Sequence, residues 1–310
     1  MEFFHNVPHI PFMAQRRFCY VLSAILIIGS ILAIGARGLN LAVDFTGGVV
    51  TEAEFPNAAN LEGTRAALTQ AGYQDVQVQI FGSSRNVLVR LPPDNSSSAT
   101  DISAKIEKVL KGVDSNVVIK RTEVVGATVG KELLTKGITA MLITLLLILA
   151  YIAVRFRWKF GVGAVLATLH DPFVTIGVFA LFRLPFDLSV LAAVLAVIGY
   201  SINETVVVFD RVRERFQTMR KAAPVEVFDI AINETLSRTV ITKFATLIVV
   251  VALYLFGGEA LRGFGLALIV GILVVTYSSM YVASGVALDL GANRRDLMPA
   301  ERRGPVDEMP

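Results

Sequence analysis

The chain has 310 residues, is 54% hydrophobic and only 18% charged, and carries a formal net charge of +3. A soluble domain usually contains about 25% charged residues. Here the apolar residues are concentrated in long blocks, which excludes a soluble globular protein. Cys19 is the only cysteine, so a disulfide bond within the chain is excluded. The small net charge gives no indication of a nucleic-acid partner.

Six blocks are long enough to cross a lipid bilayer, since a spanning helix needs about 20 mostly apolar residues. They cover residues 17–36, 133–154, 160–182, 188–209, 239–256 and 264–288. The first block is longer than the apolar region of a typical signal peptide and lacks a small-x-small cleavage site. We therefore expect it to remain as a membrane anchor.

Basic residues indicate the orientation of these spans. They gather in both tails and in the second-to-third and fourth-to-fifth loops, and the positive-inside rule then places both termini in the cytoplasm. These residues are Arg16, Arg17, Arg155, Arg157, Lys159, Arg211, Arg213, Arg215, Arg220, Lys221, Arg294, Arg295, Arg302 and Arg303. The predicted organisation is a cytoplasmic tail (1–16), a first transmembrane helix (17–37), an external domain (38–132), a five-helix bundle (133–288) with a cytoplasmic loop (210–238), and a cytoplasmic tail (289–310).

The external segment shows the patterns of a small α+β domain. Strands are predicted where apolar residues alternate, and helices where they recur at helical spacing, the first one capped by Asn60. The predicted elements are strand 49–55, helix 60–71, strand 75–81, hairpin loop 82–85, strand 86–91, helix 101–111 and strand 116–125. The helix residues predicted to face inward are Leu61, Ala67, Leu68, Ile102, Ile106, Val109 and Leu110. In the strands, alternation places Val76, Val78 and Ile80 on one side, and likewise Val87, Val89 and Leu91. This order is the ferredoxin-like arrangement. The segment contains no catalytic or metal-binding pattern, so we expect it to have a contact or mechanical role.

Glu204 in the fourth span is the first candidate functional residue. An ionisable residue within a span costs about 2.5 kcal/mol or more, and so indicates function. A carboxylate at this depth can take up and release protons when burial favours its neutral form. Asn203 beside it can hydrogen-bond without adding charge, and Arg238 at the start of the fifth span is the expected counter-charge.

Further polar positions on the fifth span accompany this pair. Thr239, with Thr242 and Thr246, is predicted to line a hydrated path along the fifth span. Lys243 lies about 140° around that helix from Arg238, at roughly 100° per residue, and is expected to snorkel to the membrane interface.

Asp171 is a further candidate, within His170-Asp171-Pro172 near the middle of the third span. It is predicted either to relay protons or to make a polar contact between helices. The Glu204–Arg238 pair likewise has a structural alternative, a static ion pair that fixes helix register. Asp210 and Arg211 lie at the membrane edge, where a solvated charged face is the favoured interpretation.

The sequence contains no phosphate-binding loop, nucleophile elbow or metal-ligand spacing, so no enzyme activity and no bound cofactor is predicted. A transporter driven by an ion gradient needs none of these. One elementary charge that crosses the membrane gains about 2.3 kcal/mol per 100 mV.

The chain resembles the SecF family over nearly its whole length. The motifs that carry the resemblance are Asp44-Phe45-Thr46-Gly47-Gly48, the segment 125–130, His170-Asp171, the segment 199–214 with Asp210 and Arg211, the segment 235–242 with Thr239, Phe256-Gly257-Gly258, Gly263-Phe264 and Thr276-Tyr277-Ser278-Ser279. Together and in this order they are highly specific. Two departures concern the candidate site, because the family more often has Asp where Glu204 stands and a small polar residue where Lys243 stands.

The resemblance implies an α-helical integral membrane protein of the resistance-nodulation-division superfamily, with six transmembrane helices and a ferredoxin-like periplasmic domain between the first two. It implies a place in the bacterial cytoplasmic (inner) membrane. It also implies that the protein uses the proton-motive force, with protons as the coupling ion, to assist protein export. The implied partners are SecD, the SecYEG channel, the translocating preprotein, YajC, YidC and the lipid bilayer. In the family the proton path includes the positions of Glu204 and Arg238.

Two other functions stay open at this point. A proton-driven exporter of lipids or small molecules would belong to the same superfamily, although such exporters usually have two six-span halves in one chain. A non-transporting scaffold that stabilises the channel complex would use the buried charges for structure alone. Replacement of Glu204 by Gln separates transport from scaffolding, since only a scaffold tolerates it.

Overall fold

The computed structural model of the protein describes residues 8–73, 76–92 and 99–296. Its contacts divide the chain into a helical unit and an α/β unit, and the α/β unit comprises Asn40–Ala140 and Pro185–Leu188. The elements in chain order are α1 (Arg16–Arg37), β1 (Asn40–Leu41), α2 (Val43–Thr46), β2 (Gly48–Glu54), α3 (Leu61–Gln70), β3 (Gln77–Phe81), β4 (Ser83–Leu91), α4 (Ala99–Val113), β5 (Val118–Val125), α5 (Ala127–Arg155), α6 (Trp158–Leu181), β6 (Pro185–Phe186), α7 (Leu188–Thr218), α8 (Pro224–Phe256), α9 (Gly258–Ser278), a π-helical turn (Ser279–Ala283) and α10 (Ser284–Asp289).

Within the described residues, six helical segments are long and apolar enough to cross a membrane. They contain the six apolar blocks except for Phe182 at the end of the third, so the prediction of six spans is confirmed. The helices that form the fourth and fifth spans, α7 and α8, are longer than expected. Residues 210–238 were predicted as a cytoplasmic loop, yet α7 continues to Thr218 and α8 already begins at Pro224. Proline is common at the first position of a helix, which Pro224 occupies, and several apolar residues that follow it are buried.

Aromatic side chains hold α6, α7 and α8 together. The ring of Phe160 lies 5.0 Å from that of Phe209 and 6.1 Å from that of Phe228, measured between centroids. Phe216 packs edge-on against Phe228 at 6.1 Å. Such aromatic pairs contribute about 0.5–1.5 kcal/mol beyond the area that they bury. The first part of α8 is therefore bound to the bundle core.

Glycines bring other helices of this unit into close contact. A Cβ atom on Gly163 would lie 2.3 Å from the carbonyl oxygen of Ala283, and one on Gly271 would lie 2.1 Å from the Val197 side chain. The first contact joins α6 to the π-helical turn, and the second joins α9 to α7. Small residues let membrane helices approach in this way.

The segment before α1 packs against the start of α8. The Asn233 side chain accepts a hydrogen bond from the Ile10 amide at 3.0 Å and donates one to the Ile10 carbonyl at 2.8 Å. The Asp229 carboxylate accepts a hydrogen bond from the Met13 amide at 2.8 Å. Phe12 and Met13 are buried in the bundle core. The sequence gives no periodic pattern for this contact.

The α/β unit contains a four-stranded antiparallel sheet in the order β3-β4-β2-β5. With one helix in each crossover, this is the ferredoxin-like topology that the sequence predicts. Asn60 caps α3 by accepting a hydrogen bond from the Gly63 amide at 2.9 Å. The core combines Leu68 of α3 and the inward residues of α4 with the inner face of the sheet.

Two details of the β3–β4 hairpin differ from the prediction. Ser83, Ser84 and Arg85 belong to β4 rather than to a loop, because Gly82 alone makes the turn with a φ of +76°. Ile80 is 51% exposed although it was predicted to lie on the same side as Val78, which is buried. It lies at the end of an edge strand, where the register shifts before Phe81. Asp75 of the predicted strand and residues 93–98 lie outside the described residues.

Candidate functional site

The α7 helix places Glu204 inside the helical unit. Glu204 shares a buried face of α7 with Ser201, Thr205 and Val208, and its side chain is only 8% exposed. The helix itself satisfies the backbone polar groups, so the carboxylate is the group that needs partners here.

Two side chains of α8 meet this carboxylate. The Thr239 hydroxyl donates a hydrogen bond to Oε1 at 2.7 Å, and the Lys243 ammonium lies 3.1 Å from Oε2. Thr239 and Lys243 are four residues apart and thus lie on one face of α8. The Lys243 ammonium also lies 5.5 Å from the ring centroid of Tyr200, one turn before Glu204. Both carboxylate oxygens therefore have a partner.

The predicted ion pair between Glu204 and Arg238 is wrong for this structure. Arg238 is exposed, and no ion pair between described residues joins it to Glu204. The reason is the rotation of α8, since Thr239 faces Glu204 and Arg238 lies about 100° around the helix from it. Lys243, predicted to snorkel, instead has a side chain that is only 11% exposed. Whether Arg238 takes part in a proton path stays a prediction.

Asn203 also points away from the bundle of this chain, since it is exposed. The sequence predicted a hydrogen-bonding role for Asn203 beside Glu204, but the observed burial separates the two residues. Of the predicted hydroxyl path on α8, Thr239 reaches the carboxylate. Thr242 is exposed and bonds the carbonyls of Arg238 and Thr239, and Thr246 bonds the carbonyl of Thr242.

Asp171 forms a second buried polar centre, between α6 and α9. Its carboxylate is fully buried, with Oδ1 2.9 Å from Nδ1 of His170, and Oδ2 accepts a hydrogen bond from the Ser278 hydroxyl at 2.8 Å. Ser278 ends α9 just before the π-helical turn, where the Ser284 hydroxyl bonds the Ser279 carbonyl at 3.0 Å. Such turns occur frequently at functional sites.

The two acidic centres lie at a similar depth in the bundle. Gly271 of α9 contacts Val197 of α7, and these helices run in the same direction because α8 lies between them in the chain. Ser278 and Glu204 each follow that contact by seven residues, which is about 10 Å along either helix. Asp171, bonded to Ser278, therefore lies close to the level of Glu204.

Further buried polar atoms surround this level without a hydrogen-bond partner among the described residues. They are Thr168 Oγ1, His170 Nε2, Ser201 Oγ and Thr205 Oγ1. Buried side-chain polar atoms in proteins are nearly always hydrogen-bonded, to protein or to ordered water. We therefore expect these groups to bind water, which would hydrate the layer that contains both carboxylates.

Asp210 and Arg211 form an ion-pair network at the end of α7. Asp210 pairs with Arg155 of α5 at 2.5 Å, and Arg211 pairs with Glu234 of α8 at 2.7 Å. Arg215 pairs with the same Glu234 at 2.5 Å. This network holds three helices together at one end of the bundle, in agreement with a charged, partly solvated face.

The Asp44-Phe45-Thr46-Gly47-Gly48 motif is structural within the α/β unit. The Asp44 carboxylate accepts a hydrogen bond from the Leu188 amide at 2.9 Å. Gly47 and Gly48 have φ values of +70° and +123°. A Cβ atom on Gly47 would lie 2.7 Å from the Cα of Ala127, and one on Gly130 would lie 2.6 Å from the Gly47 nitrogen.

Sequence reasoning missed the partners of both carboxylates. Lys243 is four residues after Thr239, and that spacing could have identified it once Thr239 was taken as the residue facing Glu204. Ser278 as partner of Asp171, and the Asn233 contact with Ile10, depend on packing between distant segments. No local pattern predicts them.

These features define a multi-pass integral membrane protein with buried acidic centres and one ferredoxin-like unit. The family model for the C-terminal part of the protein export membrane proteins SecD and SecF matches residues 105–293, and the model for their GG motif matches residues 32–55. The chain is 45% identical to a protein translocase subunit SecF from Vibrio alginolyticus, over 97% of each chain. It is 42% identical to SecF from Haemophilus influenzae, over 98% of this chain and 93% of the relative.

A solved structure is also similar to this chain. The crystal structure of SecDF from Thermus, described as a translocon-associated membrane protein, superposes with a TM-score of 0.81 at 35% identity and covers 91% of this chain. This chain matches only 39% of the SecDF chain. The chain belongs to the SecF family of protein translocase subunits, and the predicted family and fold class are confirmed.

Proposed function

We propose that this chain acts with a SecD partner to assist the export of preproteins through the SecYEG channel, and that protons moving through Glu204 drive the process. Family membership supports a role in protein export. We propose the bacterial cytoplasmic membrane as its place, with both termini in the cytoplasm, on the distribution of Lys and Arg. YajC and YidC are proposed as further partners on the family resemblance alone.

The buried carboxylate of Glu204 carries the proton part of this proposal. Its oxygens are held by an ammonium and a hydroxyl at 3.1 and 2.7 Å in a membrane helix. A carboxylate in such a site is stable while the ammonium faces it, and its neutral form is stable when the pair opens. These two states are what a proton carrier requires. The proposed coupling ion is the proton, with no bound cofactor.

An outward polar patch supports a partner subunit. We define it as Asn203 of α7 with Arg238 and Thr242 of α8, all of which are exposed in this chain. Arg238 directly precedes Thr239, so the patch lies at the depth of Glu204. A charged side chain facing lipid at that depth is costly, by about 2.5–3.5 kcal/mol on insertion scales. We therefore infer that other membrane helices cover the patch. Since SecDF has a chain more than twice the matched length, SecD is the proposed source of those helices.

Export in cells tests the proposal. Cells depleted of their own SecF are complemented with the wild-type chain, with Glu204→Gln or with Glu226→Gln, and export of a secreted protein is followed with and without an uncoupler. Glu226 is an exposed carboxylate in the first turn of α8 and serves as matched control. We expect Glu204→Gln to reduce export to the empty-vector level, and Glu226→Gln to keep the uncoupler-sensitive rate.

The level of each variant in the membrane and its recovery with SecD must match the wild type for this comparison. Wild-type export with Glu204→Gln would mean that the carboxylate is structural. The chain would then act as a scaffold of the channel complex, or SecD alone would carry protons.

A further inference from the structure

We propose that Lys243 is the resident counter-charge of Glu204 and a positioning residue of the proton site, which it holds in the ionised state until a proton arrives. This inference rests on the proposed function, because it assigns a role within the same site.

Distance and burial support the assignment. The Lys243 ammonium lies 3.1 Å from Oε2 of Glu204, and the two side chains are 11% and 8% exposed. A lysine that snorkels would keep its ammonium in water, whereas this one turns toward the carboxylate. Removal of one partner of a buried ion pair leaves an uncompensated charge, which strongly destabilises that ionised group.

The longer side chain of Glu204 fits the same geometry. Its Oε1 accepts a hydrogen bond from Thr239 while Oε2 reaches Lys243, one turn further along α8. An aspartate is one methylene shorter. The glutamate and the lysine therefore suit each other as a pair across α7 and α8.

Other charged groups near this site are already neutralised or face away. On α8, Glu234 is paired with Arg211 and Arg215 near the end of α7. Arg238 is exposed in this chain. Elsewhere among the described residues, His170 and Asp171 of α6 pair with each other beside Ser278 of α9, and Arg155 of α5 pairs with Asp210 of α7.

The geometry provides a second place for the ammonium when Glu204 becomes neutral. The ring of Tyr200 lies 5.5 Å from the Lys243 ammonium, and a cation over an aromatic ring is attracted by about 0.5–2 kcal/mol. Uptake of a proton by Glu204 removes the charge that holds Lys243. The ammonium can then stay at Tyr200 while the contact between α7 and α8 loosens.

The test reads the protonation of Glu204 directly. Dicyclohexylcarbodiimide reacts with the protonated form of a buried carboxylic acid and leaves a stable N-acylurea. The purified full-length protein in detergent is treated with this reagent from pH 5 to pH 9, and modification of Glu204 is quantified by peptide mass spectrometry. Glu204→Gln provides the blank, and gel filtration checks that each variant is folded.

We expect Lys243→Met to move the pH of half-maximal labelling upward by at least about one unit, a tenfold change in the protonation equilibrium. Lys243→Arg keeps the positive charge and is expected to stay near the wild-type value. Thr239→Val removes the hydroxyl donor but keeps the ammonium, and is expected to shift the profile less than Lys243→Met. If Lys243→Met does not fold, Lys243→Gln replaces it.

An unchanged profile in the neutral variant would overturn the inference. An equal shift in Lys243→Arg and Lys243→Met would also overturn it, since charge would then not be the cause. Labelling requires no export, so the two proposals fail separately. Loss of export in Glu204→Gln with unchanged labelling in Lys243→Met leaves the proposed function standing and removes the role of Lys243. Normal export in Glu204→Gln, together with a shifted labelling profile in Lys243→Met, removes the proposed function and leaves Lys243 as the counter-charge of Glu204.

Discussion

Asp171 shows how a fully buried carboxylate is kept in a membrane helix. One oxygen faces His170 on the same helix, and the other accepts the Ser278 hydroxyl of α9. Hydrogen bonds to charged groups contribute about 1.5–3 kcal/mol, and a buried acceptor left without a donor is costly. This centre therefore stabilises the α6–α9 contact whether or not it also relays protons.

Removal of the Ser278 hydroxyl tests that role. We expect Ser278→Ala to lower the free energy of unfolding by about 1.5–3 kcal/mol, measured by thermal unfolding of the detergent-solubilised protein. Thr276→Val is the matched control, since its hydroxyl bonds only the Ile272 carbonyl of its own helix at 2.7 Å, and it is expected to cost less than about 1 kcal/mol. Equal effects of the two changes would contradict the role assigned to Ser278.

The sequence was sufficient to find the acidic residues but not their partners. Glu204 and Asp171 were predicted because carboxylates in apolar blocks are rare. The choice between Arg238 and Lys243 depends on the rotation of α8 about its axis. That rotation is set by packing of residues such as Phe228 against α6 and α7. A helical pattern gives relative angles along one helix, and it gives no angle between helices.

At the scale of elements, the turn from α2 into β2 depends on glycine. Gly47 has a φ of +70° and lies against the Ala127 backbone at the start of α5. A side chain there combines an unfavourable backbone conformation with a steric clash, and strain of this kind costs about 1–3 kcal/mol before the clash is added. The motif is explained by this packing without any catalytic role.

Alanine substitution checks this explanation. We expect Gly47→Ala to lower the free energy of unfolding by about 3 kcal/mol or more. Gly126→Ala is the control, because a Cβ atom there meets nothing within 4 Å, and it should leave stability nearly unchanged. The readout is thermal unfolding of the full-length protein together with its level in the membrane. A Gly47→Ala protein as stable as the wild type would show that the motif is not required for packing.

Element type was predicted well and element ends less well. Apolar blocks identify a spanning helix because the bilayer core requires about 20 apolar residues. The charged ends of α7 and α8 are helical without being apolar, so hydropathy alone assigned them to a loop. Val227, Phe228 and Ile232 are buried, so packing against the bundle stabilises the helix at the start of α8. The hairpin differs for a similar reason, since Gly82 alone provides the turn.

At the scale of the whole molecule, the outward polar patch of Asn203, Arg238 and Thr242 predicts dependence on a partner. Arg238 forms no ion pair with a described residue of this chain. We therefore expect Arg238→Leu to leave the thermal stability of the isolated chain within about 0.5 kcal/mol and to reduce co-purification with SecD. Arg213→Leu, an exposed arginine near the end of α7, should reduce neither. Unchanged recovery of SecD with Arg238→Leu would argue that the patch is not part of that interface.

The contact between Ile10 and Asn233 sets an order of events during synthesis. The two residues are separated by 223 positions in the chain. A ribosome that adds about 5–20 residues per second needs roughly 11–45 s to cover that interval. The amino-terminal segment therefore emerges long before its binding site exists, and four spans must be made in the meantime. The binding of this segment is thus a late step in assembling the helical unit, so a fusion attached next to it would interfere with completion of the fold rather than with its beginning.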